Sequence, residues 1–365
     1  MRLRHKKKIF IKAFLVNNFG DDLFVKVIAE RYPNIKFYIL TSKENGYTFR
    51  DFDNVKNWSS NSAIELIDRI FFKLFKIKIR EVILSQYADL TAFVGGSVFI
   101  EQGGWQKKAK SEERLLNISK EMILMGANFG PYYSTQFLST HKKMFSKYKF
   151  ICFRDQYSLK LFEEIEEVHY APDIVFSLNA NGRIENNIEK RMVIVPANVK
   201  YIQGLESFYD IYITKMVEIV NELSQNEWRI TFLSFCEAFH DDEIIEEICK
   251  RVNAKSRDFI KQVYYKKDMS LILVEINRCE YIIANRYHAM ILGWLYRKKV
   301  FPIIYNQKQT TVLNDLCFEG GRCKVENIDN LTLQKIIKES DRLPNLERII
   351  EEAQLQFQYV DEWEK

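Results

Sequence analysis

The chain has no C-x-x-C pair, no cluster of histidines, no long unbroken apolar run and no large excess of one charge. Each absence closes off a class of function. The six cysteines (Cys152, Cys236, Cys249, Cys279, Cys317 and Cys323) lie scattered, which argues against a zinc ribbon or a redox pair and fits free core thiols in a reducing compartment. No metal is expected. The apolar stretch behind the basic residues 1–8 is broken by Lys12 and stops at Asn17-Asn18, too short and too charged for a signal peptide or a membrane span. The expectation is a cytoplasmic protein whose basic start makes at most peripheral contact with the inner face of a membrane. Lys and Arg number 54 against 49 Asp and Glu, a formal net charge of +5. That balance, with aromatics set inside apolar runs, excludes nucleic acid as a partner. The G-x-G-x-x-G dinucleotide fingerprint is absent from the first strand–helix junction, where Gly20 stands alone. A repeat of about 20 to 50 residues, the mark of a solenoid, is also missing.

What the chain does have is alternation. With 365 residues, 47% of them hydrophobic, it has core enough for two domains. Strand-like and helix-like segments follow one another almost throughout, the pattern of a mainly parallel sheet covered by helices. Strands are expected over 9–16, 35–40, 90–94, 120–126 and 150–153, with a helix over 22–31. The polar stretch 179–189, containing Asn-Gly, reads as a linker. The pattern then restarts, with strands over 192–199, 230–235, 281–284 and 300–304 and helices over 209–223, 241–252 and 271–277. The division is therefore a Rossmann-like domain over 1–178, a second over 179–342, and a single long Glu- and Gln-rich helix in 343–365 that returns to the first, with a cleft between the two halves.

The most informative stretch runs from Cys279 to Met290: a buried strand, then Asn285-Arg286-Tyr287-His288, then a helix. In open α/β sheets ligands sit outside the carboxyl ends of strands, where such loops enter helices. Arg286 there offers a fixed fork for a carboxylate or phosphate, and His288 a group that exchanges a proton near neutral pH. Together they point to a small, doubly anionic substrate. Other loops read two ways. In Asn17-Asn18-Phe19-Gly20-Asp21-Asp22, the helix start either faces an anion or is simply capped by an aspartate. Gly95-Gly96-Ser97 and Asn128-Phe129-Gly130-Pro131 admit either a ligand or a packing turn. Arg154-Asp155 is either a source of charge or an internal ion pair plus helix cap. Ala171-Pro172-Asp173 reads as a turn at the domain edge. His240-Asp241-Asp242-Glu243 has metal-ligand residue types, but acids at a helix start need no metal to explain them.

Taken in order, these segments resemble the polysaccharide pyruvyl transferase family over about 300 residues, a span that follows from the motif positions. The series runs Asn18-Phe19-Gly20-Asp21, Gly95-Gly96, Gly126 to Pro131, Phe153 to Ser158, Ala171-Pro172-Asp173, His240-Asp241-Asp242, Cys279 to Ala289 and Val300 to Lys308. The resemblance implies two Rossmann-like domains similar to the B-type glycosyltransferase fold. It also implies transfer of a carboxyvinyl-derived group from phosphoenolpyruvate to a sugar during cell-surface polysaccharide synthesis. The first domain would take the acceptor, a sugar or glycan either free or lipid-linked, and the second the donor. The Arg-x-His motif carries over to Arg286 and His288, and the lysine after the late Tyr-Asn turn to Lys308. Two departures stand out: Ser97 replaces a third glycine, and Asn198-Val199-Lys200 stands where arginine is common, leaving Lys200 as the cation.

Phosphoenolpyruvate carries two anions, so the donor site needs converging cations. Arg286, Lys308 and Lys200, with Asn285 beside them, are assigned to it. His288 is assigned as the acid that protonates the methylene carbon, and Asp21 as the base for the sugar hydroxyl. Asn18, Gly20, Gly95, Gly96, Asn128, Gly130 and Arg154 are assigned to loops of the cleft. No cofactor is expected beyond phosphoenolpyruvate as co-substrate. Two rivals share the architecture: a nucleotide-sugar-dependent glycosyltransferase and a non-catalytic scaffold of polysaccharide assembly.

Overall fold

A computed structural model of the chain describes residues 6–59, 68, 70, 71, 73, 78–180 and 190–365. Two compact units emerge. The first comprises 1–16, 21–177 and 350–365; the second comprises 17–20 and 178–349. Most of the expected linker, 181–189, and most of the basic start, 1–5, lie outside the described residues.

The first unit is built on seven parallel strands: β1 (Lys8–Lys12), β2 (Lys36–Ile39), β3 (Val55–Asn57), β4 (Leu90–Val94), β5 (Met122–Ala127), β6 (Phe150–Phe153) and β7 (Val168–Tyr170), in the order β3-β2-β1-β4-β5-β6-β7. β4, β5 and β6 are buried at every residue, as strands covered by helices on both faces must be. An aromatic core packs one face of this sheet, where Phe99, Phe129, Phe137 and Phe145 surround His141.

The second unit has six parallel strands: β8 (Arg191–Val195), β9 (Arg229–Ser234), β10 (Ile260–Tyr264), β11 (Tyr281–Ala284), β12 (Lys299–Ile304) and β13 (Cys323–Lys324), ordered β10-β9-β8-β11-β12-β13. Each unit thus runs outward in both directions from its first strand, and the order reverses between β1 and β4 and again between β8 and β11. These reversals are the topological switch points of doubly wound sheets, where the loops diverge and leave room for a ligand. Helix starts are fixed by side-chain caps: Ser134 accepts from Phe137 N, Asp268 from Ser270 N and Asn306 from Gln309 N, each worth about 1 kcal/mol.

The expected single C-terminal helix is broken. Helices Leu346–Ala353 and Gln358–Glu364 are joined by a 3-10 turn, Gln354–Phe357. The turn carries Gln356, fully buried, whose amide accepts from Gly126 N at 2.9 Å and donates to Ala171 O at 2.9 Å and Pro172 O at 3.2 Å. Arg31 and Tyr32 hold Asp361 in the last helix. The end of the chain is an integral part of the first unit. The strands expected over 9–16 and 192–199 end earlier, at Lys12 and Val195; beyond them Asn17 takes a left-handed conformation (φ 60°) and Asn198 caps a 3-10 turn, Val199–Tyr201.

Candidate active site

The loops at the carboxyl ends of β8, β9, β11 and β12 carry most of the residues assigned to donor binding. Arg286, first after the β11 loop, turns its guanidinium onto Asp241: Nε donates to Oδ2 at 3.1 Å and Nη2 to Oδ1. Asp241 is fully buried and also accepts from the backbone N–H groups of Phe235 and Cys236, both at 3.1 Å. Burial by itself would lower the Arg286 pKa, but Asp241 and Tyr305 outweigh it and hold the guanidinium above the ordinary arginine value. The result is a charged, pre-oriented fork. Asp241 occupies the Nε–Nη2 edge, while Nη1 lies 3.5 Å from the Tyr305 hydroxyl and the side chain stays 14% exposed.

In the sequence Asp241 stands out only as a member of the His240-Asp241-Asp242-Glu243 group, and its pairing with Arg286 was not expected. Helix Asp241–Arg251 opens with Asp241, Asp242 and Glu243, and one acid suffices for the helix dipole. The redundancy was the available signal. Asp242 binds Ser234 Oγ and Glu243 binds His240 Nδ1 and the Tyr201 hydroxyl. This group is therefore a set of hydrogen-bond partners. Among the described residues no three His, Cys, Asp or Glu side chains are grouped to hold a metal ion.

His288 lies one residue into helix Tyr287–Leu295, and its imbibed position depends on a glycine. A Cβ built on Gly20 would fall 1.9 Å from His288 Nδ1. The loop 17–20 belongs to this unit: Phe19 N donates to Phe235 O at 2.9 Å, Asn18 bridges Cys236, and the Phe19 ring packs edge-on against Phe235 and Tyr265. Asn18 Oδ1 accepts from Gly20 N at 3.2 Å and so shapes the turn under the imidazole. Asn18, Gly20, Arg286, His288 and Asp241 are thereby gathered around the loops of β9 and β11. Asp21 follows Gly20 in the first turn of helix Phe19–Arg31.

The other assigned donor residues separate into two kinds. Lys200 is exposed, 5.6 Å from the Tyr209 ring, and Lys308 stands in the first turn of helix Gln307–Asp315, 6.0 Å from the Tyr287 ring. Asn285 requires a correction. Its side chain is fully buried and committed to the fold, accepting from the Tyr212 hydroxyl at 2.8 Å and donating to Ile303 O at 3.3 Å, while Gln309 Nε2 donates to its carbonyl at 2.7 Å. It braces the end of β11 from inside the fold rather than facing a ligand.

Several loops assigned to the cleft also turn inward, within the first unit. Arg154, 3% exposed, donates to Asp173 at 2.8 Å and to Asn128 Oδ1 at 2.7 Å, and Ser97 Oγ donates to Asn128 Oδ1 at 3.0 Å. A Cβ on Gly96 would meet the Arg154 guanidinium at 2.6 Å. Gly96, Asn128 and Arg154 therefore form a buried polar brace, with Asp173 as the ion-pair partner and Asp155 free to cap helix Gln156–Leu161. Gly95 is a packing glycine against Val98. Gly130 has φ 99° and donates its N–H to Phe99 O at 2.7 Å, so it too serves a turn.

With this geometry in hand, comparison with known proteins decides the family. The family model for polysaccharide pyruvyl transferase matches residues 18–307. The chain belongs to that family. No curated protein matches it. Among solved structures, Alr3699/HepE from Anabaena, in complex with UDP and glucose, aligns with a TM-score of 0.58 at 11% identity, covering 98% of this chain and 99% of that one. MnaA from S. aureus, in complex with UDP, aligns with a TM-score of 0.58 at 10% identity over 98% and 97%. A putative UDP-N-acetylglucosamine 2-epimerase from Listeria monocytogenes gives 0.55 at 10% identity over 98% and 97%. Identities this low establish the fold: two Rossmann-like units, as in B-type glycosyltransferases. Family membership makes this pyruvyl transferase homologue a transferase of polysaccharide biosynthesis. Among its described residues no helix is long and apolar enough to cross a membrane.

Proposed function

We propose that the protein transfers a pyruvyl group from phosphoenolpyruvate to two hydroxyls of a sugar or glycan, leaving a cyclic ketal and inorganic phosphate. The observation that carries this reading is the buried Asp241–Arg286 pair beside His288, whose ring packs on Gly20. Asp241 fixes the guanidinium edge-on, and the remaining N–H groups on Nη1 suit one anion of phosphoenolpyruvate. Because the pair is neutral overall, the second anion calls for Lys308 or Lys200. His288 protonates the methylene carbon, building oxocarbenium character at the neighbouring carbon. A sugar hydroxyl attacks that carbon and gives its proton to Asp21. The carbon–oxygen bond to phosphate then breaks, and a second hydroxyl closes the ketal while its proton leaves with phosphate. The cations stabilise charge as it develops.

Acceptor-dependent phosphate release from phosphoenolpyruvate, with the ketal identified on the acceptor by mass spectrometry, tests this directly. His288→Asn leaves the Arg286–Asp241 pair untouched and is expected to bind phosphoenolpyruvate while losing turnover by about 100-fold or more. Thermal stabilisation by a nucleoside diphosphate, with none by phosphoenolpyruvate, would sink the proposal in favour of a nucleotide-sugar glycosyltransferase.

A further inference from the structure

The first unit leaves an apolar face in solvent that the donor chemistry does not use. Residues 69–80 read Arg-Ile-Phe-Phe-Lys-Leu-Phe-Lys-Ile-Lys-Ile-Arg, five cations and seven apolar residues, with no acid and no uncharged polar residue among them. Of the described residues in that stretch, Ile70, Phe71 and Lys73 are exposed. Asp68 pairs with Arg80, which ties them to the first turn of helix Ile79–Tyr87.

That helix packs against β1. It buries Leu84 and Ser85 and presents Ile83 and Tyr87, one turn apart, to solvent. A surface helix ordinarily keeps polar residues on its outward face. Here Ile70, Phe71, Ile83 and Tyr87 are between 39% and 48% exposed. The helix has one acid, Glu81, already matched by Lys12 at 3.7 Å and Lys78 at 3.0 Å. Cations border the face at both ends. Lys73 is exposed near the helix start, and at its end Lys8 Nζ lies 4.1 Å from the centre of the Tyr87 ring. Hydrogen bonding to Tyr38, then to Lys8, with the nearby charge of the exposed Lys36, holds the Tyr87 hydroxyl below its ordinary pKa.

We infer that the first unit docks on an anionic membrane surface through this face, Ile70, Phe71, Ile83 and Tyr87 entering the headgroup boundary while Lys73 and Lys36 meet lipid phosphates. Apolar side chains interleaved with lysine are what a segment lying in that boundary needs: the one buries area, the other is drawn to negative lipid. A face built to meet another protein is instead poor in lysine. The docking goes beyond the donor chemistry and holds whether or not the chain turns over phosphoenolpyruvate.

The experiment is flotation of the full chain with vesicles of phosphatidylcholine alone and of phosphatidylcholine mixed with phosphatidylglycerol. Binding to the mixed vesicles is expected, reduced by salt and much weaker on phosphatidylcholine. Ile83→Glu and Lys73→Glu should each weaken it about fivefold or more. Both side chains are exposed, and an unchanged melting curve shows that each variant keeps its fold. Failure to float with the mixed vesicles, or flotation unchanged in either variant, overturns the inference. Loss of flotation in the double variant Arg2→Glu, Arg4→Glu instead moves the contact to the start of the chain and overturns it too. So does a doubled mass in sedimentation equilibrium that Ile83→Glu returns to the monomer, since a second copy then covers the face.

Discussion

Gly20 has no room for a side chain. The imidazole of His288 already occupies the space a methyl group would need, at 1.9 Å. Gly20→Ala is therefore expected to push His288 aside at modest cost in stability and to lower kcat by about tenfold to a hundredfold, checked by steady-state phosphate release beside a melting curve. His141 carries a different prediction. It sits inside the aromatic cluster with Nδ1 2.8 Å from Phe137 O, and burial depresses its pKa to about 4 from an ordinary 6.5. The folded protein keeps it neutral while the unfolded chain protonates, so this contribution to stability is complete above pH 6.5 and fades as pH falls toward 4. The loss should approach about 3 kcal/mol. His141→Phe should flatten that acid limb in denaturant titrations run across the window. At this scale the sequence offered Arg286 and His288 as candidates, because a polar group closing an apolar strand is visible without a structure. Asp241 was not legible as the partner of Arg286: the two are 45 residues apart, and only the juxtaposition of the β9 and β11 loops joins them. Asn285 misled for a related reason, since its partners Tyr212 and Ile303 lie on other elements.

Among elements, legibility followed burial. Leu90–Val94, Phe150–Phe153 and Tyr281–Ala284 are continuous apolar runs, buried at every residue, and their expected limits agree with those observed. The strands toward the sheet edges, Val55–Asn57 and Cys323–Lys324, are two or three residues long and partly exposed. Their sequences carry no periodicity to read. The C-terminal helix was overextended because Glu and Gln favour helix throughout, and nothing local announces that Gln356 must turn inward. Gln356→Leu tests that turn. It would strand Gly126 N and the carbonyls of Ala171 and Pro172 in the interior, at about 1–3 kcal/mol for each group left unmet. A fall of several degrees in melting temperature is expected, measured by calorimetry, with phosphoenolpyruvate binding retained by the folded fraction.

For the whole molecule, the restart of the strand–helix pattern led to an expected division into 1–178 and 179–342, and nothing in that pattern announces the interleaving of the two compact units. The second unit takes in 17–20 from the other side of that boundary, and the first takes in 350–365. Those exchanges matter to how the protein is made. A ribosome delivers residues in order, and domains as a rule fold as they emerge. Here the second unit needs a loop synthesised more than 150 residues before its own first strand, as the span from 20 to 191 shows. The first unit waits for Gln356, which is translated after the entire second unit. Until then Gly126, Ala171 and Pro172 lack their interior partner, and the nascent first unit stays unfinished while the rest of the chain is made. A gene cut at residue 178 would accordingly yield two incomplete halves, and any fusion or split version of this protein has to respect that late closure.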